Sequence, residues 1–210
     1  MTPLAQKPPA ANPAVTVRGF CLSARRIPAR SLALRKLRSH SCDVLAQQVR
    51  RAVLGLGSNL GDRTRHVCDA VRAIESTPGV REVIVSPLYE TSPVGGPVQG
   101  PFVNAAVLVV TDLTARDLLQ MAMRIERDHH RTRQVKDGPR TLDIDILWID
   151  REVHSDSDLV VPHPRLTQRA FALVPLLDVA ADAVDPSTGL ALSVCAQSLD
   201  RDGICLLSVC

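Results

Sequence analysis

The chain has 210 residues and a formal charge of +3, which bounds one ordinary domain with an extension, long enough to bury a core. The charge is uneven: residues 1–51 carry ten Lys or Arg against one acid, Asp43, and so hold +9, while the rest has fifteen basic and twenty-one acidic residues and so holds −6. No apolar run reaches the roughly 18–20 residues of a membrane span, so the composition points away from a membrane role and toward a mildly acidic body with a basic appendage.

Residues 1–50 mix Pro-rich and Arg-rich patches without sustained periodicity, and are expected to form a basic, disordered N-terminal extension. Its acid-poor, Arg- and Ser-containing composition allows a transit peptide, a nucleic-acid-binding arm, or simply a gene start placed too far upstream. A cytoplasmic location is the default expectation. Order is expected from Arg51, with a domain over 51–184 and a C-terminal tail over 185–210.

Arg51 to Leu56 reads as a short apolar strand. Gly57 to Asp62 reads as a turn into a helix whose buried stripe is Val67, Ala70, Val71 and Ile74. Thr77-Pro78-Gly79 ends that helix. Val80 to Tyr89 is a second strand, Thr91 to Pro101 a long Gly/Pro loop, and Phe102 to Val110 a third, mostly apolar strand. Thr114 caps the next helix, with Asp117 completing a capping box and Leu118, Met121, Ala122 and Ile125 as its core stripe. A charged loop from Asp128 to Lys136 leads to the last strand. The order β-α-β-β-α-β predicts an α+β fold, a ferredoxin-like core with an antiparallel sheet and helices on one face. The other face is left for a site or for extra elements. Pro162-His163-Pro164 is a loop, and a helix is expected from about Arg165 to Val179. The stretch after Asp185 to Gly189 shows no chemistry.

The segment Gly138 to Trp148 is the most informative. Leu142, Ile144, Ile146 and Trp148 alternate with Asp143 and Asp145, which predicts a strand with one apolar face and two carboxylates on the other. Strand rise sets their Cα atoms roughly 6.5–7 Å apart. Carboxylates at that spacing can converge on one Mg²⁺, or on a metal pair roughly 3.5–4 Å apart. A solvated strand face with two acids is the bland alternative. Against it stands the basic cluster just upstream: Arg124, Arg127, Arg131, Arg133, Lys136 and Arg140. Metal on one side and guanidinium forks on the other are what a polyphosphate requires. His163 and Arg169 could close over the same ligand.

Gly55-x-Gly57 weakly suggests a nucleotide-binding turn. No Gly-Lys-Ser/Thr follows, and Gly61 falls one residue late for a dinucleotide fingerprint, so tight turning and close packing are the plainer reading. The six cysteines, Cys21, Cys42, Cys68, Cys195, Cys205 and Cys210, form no Cys-x-x-Cys pair. They are expected to be reduced thiols.

Taken together, five blocks resemble the 6-hydroxymethyl-7,8-dihydropterin pyrophosphokinase family of folate biosynthesis. They are Leu56 to Gly61, Ser86 to Pro93, Phe102 to Ala106, Gly138 to Ile146, and Val161-Pro162-His163 through Arg169-Ala170-Phe171. The resemblance spans about Val53 to Val184, and the Gly-Pro-Arg-Thr-Leu-Asp-Ile-Asp block is its most specific part. It implies a ferredoxin-like fold and transfer of pyrophosphate from ATP to the pterin hydroxymethyl group, with AMP released. It implies two Mg²⁺ ions on Asp143 and Asp145. Arg133 and Arg140 would act with them at the catalytic centre. Glu126, Arg131, Arg133, Arg140, His163 and Arg169 would contact ATP. Phe102 and Phe171 would sandwich the pterin, while Asn104 and the backbone of Thr91 and Val94 would read its edge. That assigns two of the three Phe residues in an aromatic-poor chain. The loops Thr91 to Pro101 and His129 to Asp137 would be lids. The small-molecule substrates leave no role for a membrane or a nucleic acid, and a monomer is expected.

Three positions depart from the family pattern. Asp137 stands where some members carry a Trp, Asp158 where some carry an Arg, and His130 where some carry a Gly. The rival reading is a ferredoxin-like nucleic-acid-binding module with the basic extension as its arm. It is disfavoured because Asp143 and Asp145 would repel a phosphate backbone. A Rossmann-type dehydrogenase rests only on the Gly55-x-Gly57 turn and conflicts with the β-α-β-β order.

Overall fold

The structure is a computed structural model that describes residues 49–131, 138–208 and 210. Nearly all of the basic extension, the cysteines Cys21 and Cys42, and Arg133 and Asp137 of the charged loop lie outside the described residues. Strand β1 (Arg50–Ser58) is followed by helix α1 (Arg63–Glu75), strands β2 (Val80–Val85), β3 (Leu88–Thr91) and β4 (Phe102–Thr111), helix α2 (Ala115–Asp128) and strand β5 (Asp143–Ile149). A two-residue hairpin follows, β6 (His154–Ser155) with β7 (Val160–Val161). Helices α3 (Ala170–Val179) and α4 (Leu192–Gln197) and strand β8 (Ile204–Ser208) complete the order.

Six strands form one antiparallel sheet in the order β5-β1-β4-β3-β8, with β2 also on β4. The single strand expected over Val80 to Tyr89 is therefore two. They break at Ser86-Pro87, where the Ser86 hydroxyl takes a ladder position and accepts from the Ala106 amide at 2.9 Å. Proline at this point has no N–H to donate.

Helix α1 begins at Asp62, whose carboxylate accepts from the Arg65 amide. Helix α2 begins at the predicted capping box of Thr114 and Asp117. Both bury the predicted stripes against one face of the sheet, where they meet Leu54, Leu56, Val103, Ala105, Ile144 and Ile146. A second core lies on the opposite face, where Leu173, Leu176 and Val179 of α3 and Leu192 and Ala196 of α4 cover Val53, Ala106, Leu108, Leu147 and Trp148.

Several expectations are corrected. Strand β1 runs two residues further than predicted, through Ser58, so Gly57 joins Gly55 within the strand and does not start the turn. Trp148 does not share the face of Ile144 and Ile146. A bulge opposite Val53 and Leu54 inserts Leu147 as an extra residue, which turns Leu147 and Trp148 together onto the second core. The helix expected from Arg165 is a 3-10 turn over Leu166–Gln168, then an extended Arg169, then α3. The C-terminal stretch is ordered as α4 and β8. Cys68 and Cys210 form a disulfide, contrary to the expectation of reduced thiols, whereas Cys195 and Cys205 are free. Among the described residues no helix is long and apolar enough to cross a membrane.

Candidate active site

The part of the second face that α3 and α4 leave uncovered becomes a cleft. Its floor follows from strand register. Gly57 stands opposite Asn104 on β4 and opposite Asp143 on β5, and Gly55 stands opposite Ala106 and Asp145. Antiparallel partners lie about 5 Å apart, so Asp143 and Asn104 face each other across roughly 10 Å with only a glycine between them. A Cβ on Gly57 would sit 3.0 Å from Asn104 Oδ1, and one on Gly55 would sit 3.0 Å from Leu147 Cδ1. The two glycines thus keep open a trough with acids on one wall and a polar amide on the other. The trough opens to solvent as a cleft whose rim also carries Phe102, His163, Arg169 and Phe171.

On the acid wall Asp143 is paired with Arg140 at 3.0 Å and with Arg131. Arg131 also contacts Glu126 of α2, a buried residue whose Oε1 accepts from the Ile144 amide at 2.8 Å. Glu126 and Arg131 therefore stand beside the strand and support it, and do not line the cleft. The Asp145 carboxyl is pushed up to about 6. Loss of solvent is the main cause, the negative charge of Asp143 adds to it, and Arg131 and Arg140 pull the other way. A buried carboxylate beside a second one is a site that favours a cation. Among the described residues no third carboxylate, His or Cys completes a protein cage there. That donor set fits Mg²⁺, which is commonly held by one or two carboxylates together with substrate phosphate oxygens and water.

The basic residues meet the two phenylalanines. The Arg140 guanidinium lies 5.3 Å from the Phe102 ring and that of Arg169 lies 5.5 Å from the Phe171 ring. Both rings line the cleft, as do Asn104, Thr91 and Val94. The Asn104 amide donates to Thr91 Oγ1 at 2.6 Å, which orients the side chain of a residue only 8% exposed. Among the described residues, the Nε atom of Arg140 and the hydroxyl of Thr141 are buried without a hydrogen-bond partner. His163 is held through its amide to the Leu147 carbonyl at 2.9 Å. Burial, and then the charges of Arg169 and Arg165, hold its imidazole below the ordinary range. Its Nδ1 accepts from the Arg165 amide at 3.1 Å, so the neutral ring carries its proton on Nε2 and can donate from there.

The structure thus gathers Asp143, Asp145, Arg140, His163, Arg169, Phe102, Phe171, Asn104, Thr91 and Val94 around one cleft. Sequence reasoning missed the glycine floor and Asn59. The Asn59 side chain accepts from the Arg140 amide at 2.7 Å and donates to Gln99 Oε1 at 2.9 Å; its own amide donates to the Arg140 carbonyl at 3.1 Å. One residue therefore ties the Arg140 segment to the loop before β4. Asn59 lay within the Leu56 to Gly61 block, and a polar side chain at the exit of a buried strand was the available signal. Of the family departures, Asp158 pairs with Arg116 of α2, which Asp156 also meets at 3.2 Å, and it does not line the cleft. His130 has a φ of 55°, the left-handed conformation in which glycine is at ease.

The model of the family described as 7,8-dihydro-6-hydroxymethylpterin-pyrophosphokinase (HPPK) matches residues 53–181. The 2-amino-4-hydroxy-6-hydroxymethyldihydropteridine pyrophosphokinase of Methylorubrum extorquens is 45% identical over 154 residues, 73% of this chain and 96% of that protein. The protein of the same name from Bacillus subtilis is 41% identical over 153 residues, 73% of this chain and 87% of its own length. In fold, the chain is similar to the wild-type HPPK-DHPS of Plasmodium falciparum, with a TM-score of 0.54 at 15% identity. That likeness covers 71% of this chain and 44% of the longer one.

Proposed function

Because the chain belongs to the 7,8-dihydro-6-hydroxymethylpterin-pyrophosphokinase (HPPK) family, we propose that its cleft carries that reaction in the way its own residues allow. Pyrophosphate passes from ATP to the hydroxymethyl group of 6-hydroxymethyl-7,8-dihydropterin, a step of folate biosynthesis. The hydroxyl oxygen bonds to the β-phosphorus, the bond from that phosphorus to the α-β bridging oxygen breaks, AMP leaves, and the hydroxyl proton passes to water.

Phe102 and Phe171 hold the pterin by stacking, with each ring free to exchange a guanidinium contact for a heteroaromatic one. Asn104, preset by Thr91, pairs with the polar edge of the bicycle, and the backbone of Thr91 and Val94 adds to it. A ligand that left these groups unpaired would be rejected. Arg140 and Arg169 grip the triphosphate, with Arg131 and Arg133 assisting, and His163 donates from Nε2. Glu126 acts behind them by fixing Arg131 and the start of β5. Asp143 and Asp145 would hold two Mg²⁺ ions, which would neutralise charge on the phosphate oxygens. Arg140 would be able to turn from Asp143 toward phosphate, while Arg131 stays with Glu126 beside the strand. No side chain serves as a strong base, and positioning with charge neutralisation carries most of the rate.

The strand arrangement β5-β1-β4-β3 with α1 and α2 on one face supports reading the core as ferredoxin-like. A cytoplasmic monomer completes the proposal, with the ATP-consuming step located where ATP is abundant. The nucleic-acid-binding alternative is set aside, because Asp143 and Asp145, lining the cleft, would oppose a phosphate backbone.

The observation that carries the proposal is the register that places Asp143, Gly57 and Asn104 in one row across three strands. The protein incubated with MgATP and hydroxymethyl-dihydropterin should release AMP in step with pterin diphosphate. Asp143→Ala should abolish turnover while leaving the fold intact. Near-normal activity in that variant would show the metal assignment to be wrong.

A further inference from the structure

We propose that the C-terminal strand β8 is a positioning element for the pterin edge of the cleft, locked in place by the bond between Cys68 and Cys210. The inference rests on the function proposed above. Strand β8 lies beyond residue 181, where the match to the family model ends. It adds to the outer edge of the sheet, pairing Thr91 with Ile204, Glu90 with Cys205 and Tyr89 with Leu206. The turn before it approaches the pterin loop closely. The Ser92 amide donates to the Gly203 carbonyl at 3.3 Å, and Gly203, at a φ of 77°, has room for a Cβ only at 3.2 Å from Ser92 Oγ. Asp200, Asp202 and Gly203 form one wall of a second cleft that shares Thr91, Ser92, Val94, Arg169 and Phe171 with the main one.

Side-chain burial does little to hold β8. Leu206 is 69% exposed and Leu207 46% exposed. An edge strand with exposed side chains is held mainly by its ladder to one neighbour, so a further tie matters. The tie here is covalent: Cys210 follows the strand, and Cys68 sits on α1, an element packed into the main core. With β8 fixed, β3 is an inner strand and the backbone of Thr91 is paired on both sides. With β8 released, β3 becomes the edge and the segment Thr91 to Val94 loses its outer support. The lock closes when the two thiols give up two electrons and two protons to a low-molecular-weight disulfide, which leaves as two thiols. A dithiol reductant reverses the exchange and is itself oxidised to a disulfide.

The location predicts a split in kinetic constants, because β8 borders the pterin side of the cleft and not the acid wall. The test compares the full chain, oxidised and then reduced with dithiothreitol, and Cys210→Ser under both conditions. Peptide mass mapping identifies the bond against the free Cys195 and Cys205. Reduction is expected to raise KM for the pterin about fivefold, the effect of ordering worth one net hydrogen bond. KM for ATP should change less, because Arg169 alone of the proposed triphosphate residues lines that wall, and Cys210→Ser should match the reduced protein and ignore the reductant. Amide hydrogen exchange should rise in Leu88 to Val94 on reduction, a readout that needs no activity. Equal pterin KM and equal exchange in both states would overturn the inference, as would an oxidised sample with no Cys68–Cys210 bond. Absence of AMP in every sample, together with redox-dependent exchange, would instead sink the proposed function and leave β8 as a redox-held strand only.

Discussion

Replacing Gly57 with alanine tests the trough directly, because the new methyl group enters the one gap between the acid wall and the pterin wall. Its Cβ would lie 3.0 Å from Asn104 Oδ1, 3.9 Å from Phe102 Cδ1 and 4.0 Å from Asp143 Cβ. Only the first contact is too close, so Asn104 must yield by a few tenths of an ångström. It has little freedom to do so, since its amide is bonded to Thr91 Oγ1 at 2.6 Å and the side chain is buried. Misplacing one buried hydrogen-bonding group costs about 1–3 kcal/mol of ligand binding, or roughly 5- to 150-fold in KM for the pterin. Alanine also removes about 0.5–1 kcal/mol of glycine's cost in a strand, which offsets the crowding in the folded protein. The melting temperature should therefore move by no more than about 2–4 °C. Steady-state AMP release at saturating ATP with the pterin varied, together with thermal unfolding, separates the two effects. An unchanged pterin KM in a normally folded Gly57→Ala protein would refute the assignment of Asn104 as the pterin-reading residue.

Other perturbations probe other parts of the account. Asn59→Ala should lower stability by about 1 kcal/mol in urea denaturation, because the part-buried Arg140 amide loses its acceptor; kcat/KM for ATP should fall as well, and an effect on neither would remove Asn59 from the support of the site. Asp145→Asn should cut turnover about a hundredfold or more. Without Mg²⁺ the same variant should melt no lower than the parent, because burial and Asp143 already disfavour the charge; a large drop in melting temperature would contradict that electrostatic picture. Tyr89 is the chain's only tyrosine, so phenolate absorbance reports it alone. Burial, and then the hydrogen bond to Asp178 at 2.7 Å, push it up to about 12, and Asp178→Asn should bring the midpoint down. The raised value means that the contribution of this pair to stability is complete below about pH 10 and is lost as pH rises toward 12. A midpoint near 10 in the parent would show the pair to be broken in solution.

What the sequence disclosed, and what it withheld, follows the range of each physical signal. Helices α1 and α2 were legible because caps and 3.6-residue stripes are local: Thr114 and Asp117 were predicted as a box and form one. The two acids of β5 were legible because alternation in a strand is local too. Trp148 was misplaced because a bulge at Leu147 depends on the partner strand β1, which the segment itself does not record. Of the two glycines of β1, Gly57 was read into a turn for the same reason. Their purpose appears only when Asn104 and Asp143, some fifty and ninety residues away in the chain, arrive on either side. Strand β8 carries weak alternation and gains its place from pairing with β3, and the partner of Cys68 is 142 residues distant. Most site residues were named from family blocks. That route could assign Glu126 a role at the nucleotide, but it could not show the side chain buried against the Ile144 amide.

The central claim is that Asp143 and Asp145 together hold the metal that the phosphate chain requires. Manganese binding followed by electron paramagnetic resonance, with a non-hydrolysable ATP analogue and the pterin present, measures this without turnover. Two ions should bind per chain of the parent, with Asp143→Asn and Asp145→Asn each losing at least one. Equal manganese binding in the parent and both variants would contradict the account.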